Sequence, residues 1–162
     1  MNRAKSEIFI TDWWLSPELH LKRPSSDDSS RLDIVLRNAA ERGVKINILV
    51  YKEVSIVLPL NSYHTKKHLE KLHSNITVLR HPPSLIFLWS HHEKIVIIDQ
   101  KIGFMGGLDL CFGRMDNKKH FIFDESNYWS GTFIFNNNFS FNLYLLKGKI
   151  IQTAEYPIFE ML

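Results

Sequence analysis

The sequence predicts an α/β fold in which helices flank a layered, mixed sheet. Apolar, strand-like runs occur at residues 7–12 and 44–51, and an amphipathic helix pattern lies between them. A second helix pattern and a third strand-like run follow, up to residue 80. A strand, a helix and a strand in this order imply a right-handed crossover and a parallel strand pair. The loops that follow the strands are therefore expected to cluster.

The first helix is predicted at residues 31–42. Ser29 or Ser30 can cap its start, and Gly43 is expected to end it. Its apolar residues recur at helical spacing and form one stripe, made of Leu32, Val35, Leu36, Ala39 and Ala40.

The second helix is predicted at residues 62–73, with Asn61 or Ser62 as its cap and with Leu69 and Leu72 as its buried residues. Its outer face is basic and is interpreted as a solvated face, with contact to anionic lipid or nucleic acid as the alternative. That face comprises His64, Lys66, Lys67, His68 and Lys71. Residues 75–80 are predicted to form the third strand.

Composition narrows the class of protein. The 162 residues fit one domain of ordinary size, with 44% hydrophobic residues and a formal charge of +3. Cys111 is the only cysteine, which excludes an internal disulfide and a multi-cysteine zinc site, so we expect a reducing compartment and a packing role for this residue.

No run resembles a signal peptide or approaches the roughly 18 apolar residues that span a bilayer. A cytoplasmic, soluble or peripheral protein is expected.

Residues 89–109 carry the candidate chemistry. A β-branched run at 95–98, a polar turn at 99–101 and a second apolar run at 102–105 predict a strand, a turn and a strand. Side chains two apart on a strand share a face, so His92 and Lys94 are expected side by side, with about 6.5–7 Å between their Cα atoms. One phosphate can touch both.

This pair suits phosphoryl transfer, in which an imidazole attacks phosphorus and an ammonium offsets the charge on the equatorial oxygens. Taken alone, His92 is better interpreted as a buried structural histidine, and only the combined pattern of residues favours an active-site role. His91 and Glu93 are expected on the opposite face, which disfavours a metal site built from His91, His92 and Glu93. The sequence therefore predicts neither a metal site nor a cofactor.

The pattern resembles a known family motif. His92-x-Lys94 is followed after four intervening residues by Asp99, and then by Gly106, Gly107 and Asp109. This spacing resembles the first histidine–lysine–aspartate motif of the phospholipase D superfamily. The runs 7–18, 49–54, 80–82, 88–94 and 113–116 are similar to the amino-terminal catalytic half of eukaryotic phosphatidylcholine-hydrolysing phospholipase D, so that the likeness covers roughly residues 4–120.

The resemblance implies one half of a phospholipase D-type catalytic fold and four catalytic residues. His92 would be the nucleophile that forms a phosphohistidine, and Lys94 would bind the non-bridging phosphate oxygens. Asp99 would support the turn geometry or the local electrostatics rather than touch substrate. Asp109 would orient an imidazole or hydrogen-bond a phosphate oxygen.

Four further residues are candidate substrate-binding residues. Trp13 and Trp14 offer large flat surfaces, although the general preference of aromatic side chains for burial favours packing in the core or a loop. Gly106 and Gly107 allow close approach of the backbone to phosphate, although a tight turn explains them equally well.

A second motif is missing, since Lys118, Lys119 and His120 lack its spacing. In the family, the histidine of the second motif protonates the leaving alcohol, and it comes from a second half or from a dimer mate. The expected activity is hydrolysis of phosphatidylcholine to phosphatidate and choline, by an incomplete catalytic half. Two alternatives stay open: a homodimeric single-motif phosphodiesterase acting on nucleic acid, and an inactive product that binds lipid or a partner.

The expected partners follow from the same resemblance. They are phospholipid at a membrane surface, phosphoinositide, and a second catalytic half or dimer mate that brings the acid histidine; the match at residues 7–18 favours lipid over nucleic acid. The predicted domain organisation is a catalytic half at residues 1–125 and a divergent tail rich in Phe and Asn at 126–162. A chain that opens almost inside a strand also fits a fragment.

Overall fold

The computed structural model describes residues 1–22, 27–54, 58–81 and 90–114. Its elements are β1 (Glu7–Asp12), α1 (Leu32–Glu41), β2 (Lys45–Tyr51), α2 (Ser62–Leu72), β3 (Ile76–His81), β4 (Ile95–Ile98) and β5 (Ile102–Met105). A short 3-10 helix, Asp28–Ser30, precedes α1. The predictions for residues 23–26, 82–89, 115–120 and the tail at 126–162, and the domain boundary near 125, lie outside the described residues.

The five strands form one mixed sheet in the order β3-β2-β1-β4-β5. β1 pairs with β2 and β2 pairs with β3 in parallel, as the strand–helix–strand order predicts. β4 is antiparallel to both β1 and β5. The predicted α/β class with a mixed sheet and flanking helices is confirmed.

One face of the sheet and the apolar stripe of α1 share the core. Side chains alternate along the strands, so buried residues alternate with more exposed ones over most of β1 to β4. All five residues of the predicted α1 stripe are buried. The strand residues of this core are Ile8, Ile10, Ile46, Ile48, Val50, Ile76, Val78, Val96 and Ile98.

The start of α1 differs from the prediction. Ser29 and Ser30 belong to the preceding 3-10 helix, and the N-cap of α1 is Arg31, whose side chain makes no capping bond. The Arg31 guanidinium instead pairs with Asp33, with 2.7 Å between Nη2 and Oδ2. The prediction of a serine cap was wrong because the 3-10 turn takes up both serines. Gly43 follows the helix with a φ of 91°, a left-handed conformation that suits glycine.

The start of α2 is capped from a distance. Asn61 is the N-cap residue, but its side chain makes no capping bond. The carboxylate of Glu53 accepts hydrogen bonds from the Ser62 amide, at 3.0 Å, and from the Ser62 hydroxyl. Leu69 is fully buried and Leu72 partly buried, as predicted. The fold thus supplies a cap that local sequence does not indicate.

The predicted strand–turn–strand is confirmed as β4, a polar turn and β5. Asp99 and Gln100 have φ values of 52° and 53°, and the Lys101 amide donates to the Ile98 carbonyl at 3.0 Å. Within the described ranges, neither helix has the length and hydropathy needed to cross a membrane.

Candidate active site

The sheet topology brings three separate segments to one edge. Because β4 is antiparallel to β1, the start of β4 lies beside the end of β1, with Ile95 opposite Thr11. The end of β5 lies on the other side of the same point, with Met105 opposite Ile95. The residues just after β1, just before β4 and just after β5 therefore meet there.

Lys94 is buried at the centre of this edge. Only 8% of Lys94 is exposed, and its Nζ lies 2.8 Å from Asp109 Oδ1. The same Nζ donates to the His92 carbonyl oxygen at 3.1 Å and lies 5.8 Å from the centre of the Trp13 ring. An ammonium has three donors, and these two polar contacts use two of them.

Asp109 is the anion that fixes Lys94. It is 3% exposed, its Oδ1 accepts from the Trp14 amide at 3.3 Å, and Arg114 Nε lies 3.9 Å from its Oδ2. Burial alone would raise the pKa of Asp109, but hydrogen bonds from Asp12 and Lys94, together with the Lys94 charge, lower that pKa below its ordinary value. Asp109 is therefore ionised at neutral pH.

Asp12, the last residue of β1, completes the buried network. It is 1% exposed, and its carboxyl accepts from the Trp13 amide at 2.9 Å and from the Leu110 amide at 2.7 Å. Burial, followed by the hydrogen bond and the repulsion with Asp109, raises the pKa of Asp12 well above its ordinary value. Asp12 is thus a neutral acid at pH 7 and donates its proton toward the Asp109 carboxylate.

His92 lies at the surface of the same cluster. Its ring centroid is 5.3 Å from that of Trp13, at an interplanar angle of 54°. Partial burial and then the Lys94 charge lower the pKa of His92. The imidazole is therefore neutral at pH 7, and a neutral imidazole has the lone pair that attack on phosphorus requires.

His91 lies in the segment just before β4 and has different neighbours from His92. Its side chain is 8% exposed, its ring stacks on that of His81 at 5.7 Å, and its Nε2 lies 3.7 Å from Glu93 Oε2. Burial lowers the pKa of His91, so that this histidine is a packed, neutral neighbour of the cluster.

Asp99 lies at the other end of β4. Its carboxylate accepts from the backbone amides of Lys5, Ser6 and Glu7 at 2.8–3.1 Å, and from the Ser6 hydroxyl at 2.9 Å. These bonds, that from the Ser6 amide foremost, lower the pKa of Asp99. At about 3.3 Å per residue, Asp99 is roughly 16 Å along the strand from Lys94. The structure does not bring it together with His92, Lys94 and Asp109.

The predicted substrate-binding residues surround the cluster in different ways. Trp13 packs on His92 and Lys94, while the Arg114 guanidinium carbon lies 5.9 Å from the centre of the Trp14 ring. The Gly106 amide donates to the Lys94 carbonyl at 3.2 Å and so extends the β4–β5 pairing. A Cβ added to Gly107 would meet nothing within 4 Å among the described residues.

Sequence reasoning missed Asp12 as a site residue. The sequence signal that could have found it is its position. A charged residue at the end of a buried strand lies at the sheet edge where the loops cluster. Arg114 belongs to a run that carries the family resemblance, but its closeness to Asp109 could not be seen from spacing.

Comparison with known proteins identifies the family. The phospholipase D family model matches residues 1–143. Phospholipase D zeta 2 of Arabidopsis thaliana is 55% identical over 141 residues, which are 84% of this chain and 14% of the relative. Human phospholipase D1 is 52% identical over 128 residues, 76% of this chain and 12% of the relative.

Among solved structures, NucT from Helicobacter pylori has a TM-score of 0.47 and 22% identity, covering 68% of this chain and 62% of its own. The chain spans only 12–14% of the length of the two curated relatives above. The match to the family model nevertheless covers most of the chain, which belongs to the phospholipase D family.

Proposed function

We propose that this chain is one catalytic half of a phospholipase D-type phosphodiesterase, which hydrolyses phosphatidylcholine to phosphatidate and choline through a phosphohistidine. The observation that carries the proposal is the pairing of a neutral, accessible His92 with a buried Lys94 ammonium that Asp109 fixes in place. A nucleophile and a preorganised positive charge are the two groups that attack on a phosphodiester needs.

In the first step, a His92 ring nitrogen forms a bond to phosphorus while the bond from phosphorus to the choline oxygen breaks. The choline oxygen takes a proton from an acid. In the second step, water attacks phosphorus, gives up a proton to a base, and releases phosphatidate and free His92. A primary alcohol can replace the water.

Lys94 stabilises the negative charge that builds up on the phosphate oxygens in both steps. Two of its donors are held by Asp109 and by the His92 carbonyl, and the third can reach a phosphate oxygen. Asp109, which the neutral Asp12 supports by a hydrogen bond, keeps the ammonium in place, so its position requires no rearrangement during the reaction. Lys94 therefore acts on substrate, and the two acids are positioning residues.

The remaining predicted residues act from further away. Asp99 joins the turn after β4 to the start of β1, and so sets the alignment of the two strands that deliver His92 and Asp12. Trp13 packs against the His92 ring and limits its rotation. Trp14 and the Gly106–Gly107 segment would line the path of the substrate.

The acid that protonates choline has to come from a second motif, in a second catalytic half or a dimer mate. The expected partners are that half, phosphatidylcholine at a membrane surface, and phosphoinositide, with peripheral attachment on the cytoplasmic side. The boundary between a catalytic half at 1–125 and a separate tail remains a prediction.

Choline release from phosphatidylcholine vesicles, measured across protein concentration, tests the proposal. A monomer of this chain is expected to turn over weakly or not at all, because it lacks the acid. Addition of a second-motif half is expected to give turnover, which His92→Asn abolishes and His73→Asn leaves intact. Robust turnover by a monomer would contradict the proposal.

The same design separates the alternatives. Activity that rises with the square of protein concentration, with DNA cleaved in preference to lipid, would support the homodimeric nuclease. Vesicle binding that survives His92→Asn and weakens with salt, without turnover under any condition, would support the non-enzymatic product.

A further inference from the structure

We propose that Glu18, His64 and His68 form a zinc site on the exposed side of α2, outside the cluster around His92. His64 and His68 are four residues apart on α2, and thus on one face of the helix. Glu18 reaches them from the segment that follows β1. One ligand atom from each of the three side chains lies within 4.8 Å of the others.

The distances suit a tetrahedral ion. His64 Nε2 lies 2.9 Å from Glu18 Oε1, and His68 Nδ1 lies 3.8 Å from the same oxygen. Zinc bonds of about 2.0–2.1 Å in tetrahedral geometry place two ligand atoms about 3.3–3.4 Å apart. The two observed distances bracket that value, so small side-chain rotations would admit the ion.

A further carboxylate orients one of the ligands. His68 Nε2 lies 2.9 Å from Asp33 Oδ2, and Asp33 is held in turn by Arg31 at 2.7 Å. A hydrogen bond at Nε2 leaves the Nδ1 lone pair of His68 directed toward Glu18. Carboxylates placed in this way fix the tautomer of metal-bound histidines. The Asp33 side chain is only 6% exposed, so this support is rigid.

The donor set selects the metal. Two imidazole nitrogens and one carboxylate favour zinc and similar transition metals, whereas magnesium and calcium prefer oxygen ligands. The His64 side chain is 47% exposed, which leaves room for water as a fourth ligand.

The ion would fasten the segment after β1 to α2. Thr65 already donates from its hydroxyl to the Leu15 carbonyl at 2.7 Å, and Glu18 lies three residues further along. Zinc would add a second connection between α2 and the segment that starts with Trp13 and Trp14. We therefore assign the site a structural role in holding this segment.

Zinc titration of the full chain, stripped of metal beforehand, tests the site by competition with a chromophoric chelator. One tight equivalent is expected for wild type, with no competition by magnesium. His64→Gln and Glu18→Gln are each expected to lower the affinity at least about tenfold, and Asp33→Asn by about 10–100-fold. His73→Gln, which replaces the C-cap histidine of the same helix outside the cluster, should keep wild-type affinity.

Two further measurements, cobalt absorption and thermal unfolding, distinguish loss of the zinc site from loss of the fold and do not depend on enzymatic activity. Cobalt in place of zinc should give the visible absorption of a tetrahedral site in wild type, and not in His64→Gln. Zinc should raise the melting temperature of wild type but not of His64→Gln, whose circular dichroism is expected to match wild type. Failure of zinc to bind, or tight binding that persists when His64 and His68 are both replaced by glutamine, would overturn the proposal. Both results are independent of phospholipid hydrolysis.

Discussion

Replacing Lys94 by methionine removes the ammonium while keeping a long side chain that can stay buried. Asp109 then lacks the partner at 2.8 Å, with its own side chain 3% exposed. A buried carboxylate that loses its closest cation is costly even with its remaining contacts, and the group is expected to take up a proton instead. The change therefore tests whether the ion pair at the centre of the site also holds the fold together.

The loss of stability in Lys94→Met can be calculated from the cost of protonating Asp109. Protonating a carboxyl of ordinary pKa, about 3.9, at pH 7 costs about 4 kcal/mol, since each pKa unit corresponds to about 1.36 kcal/mol. Removing one partner of a buried ion pair typically costs about 3–5 kcal/mol, which is the same range. We expect Lys94→Met to lose about 3–5 kcal/mol, a large part of the roughly 5–15 kcal/mol of a whole domain.

The loss should depend on pH in a defined direction. In wild type the pKa of Asp109 is lowered, so the pair stabilises the fold above about pH 4 and this contribution is lost on acidification. In the variant the carboxyl has to be neutral, so its cost grows as pH rises from 4 to 7. The difference between the two proteins should thus be largest near pH 7 and shrink toward pH 4.

Urea unfolding followed by circular dichroism at pH 4, 5, 6 and 7 measures this difference. Lys101→Met, at an exposed position in the β4–β5 turn, serves as the matched control and should stay within about 0.5 kcal/mol of wild type. A loss below about 1 kcal/mol for Lys94→Met, or a loss that does not change between pH 4 and 7, would refute the reasoning.

Two further predictions concern the other acids. Asp12→Asn should lose about 1–3 kcal/mol near pH 5, because the amide nitrogen that replaces one Asp12 oxygen can donate to Asp109 but cannot accept from the Trp13 or Leu110 amide. Since the pKa of Asp12 is raised, wild type should lose more stability than Asp12→Asn as pH rises from 5 to 9, and a greater loss by the variant would contradict its neutral state. Asp99→Asn should destabilise the fold at pH 7, with a deficit that shrinks below about pH 4, because the pKa of Asp99 is lowered. Hydrogen exchange of the Ser6 and Glu7 amides should then be faster, and unchanged exchange would argue against the bonds to Asp99.

Much of the fold could be predicted because its signals are local. Helix α1 was predicted at residues 31–42 and spans Leu32–Glu41, since a stripe at helical spacing and a terminal glycine define it within one stretch of chain. The β4–β5 hairpin was found in the same way, from a β-branched run and a polar turn. The serine cap failed because a competing 3-10 turn used the same residues.

The site could be predicted only where spacing or resemblance pointed to it. The spacing of His92 and Lys94 and the position of Asp109 indicated the cluster. Asp12 was missed because its contacts with Leu110 and Asp109 join residues almost one hundred positions apart, through the register of β1 and β4. The sequence prediction on metals weighed only the neighbours of His92, because spacing cannot show that Glu18 meets His64 across 46 positions.

The most direct test of the central claim uses a substrate whose leaving group needs no acid, a phosphatidyl ester of p-nitrophenol. If this chain supplies the nucleophile and the phosphate-binding cation but not the acid, it should release up to one equivalent of nitrophenolate in a burst, and the phosphatidyl group should be found on His92 by mass spectrometry. His92→Asn should show no burst, and phosphatidylcholine should release little or no choline from the same preparation. Absence of the burst, or an adduct on another residue, would contradict the account.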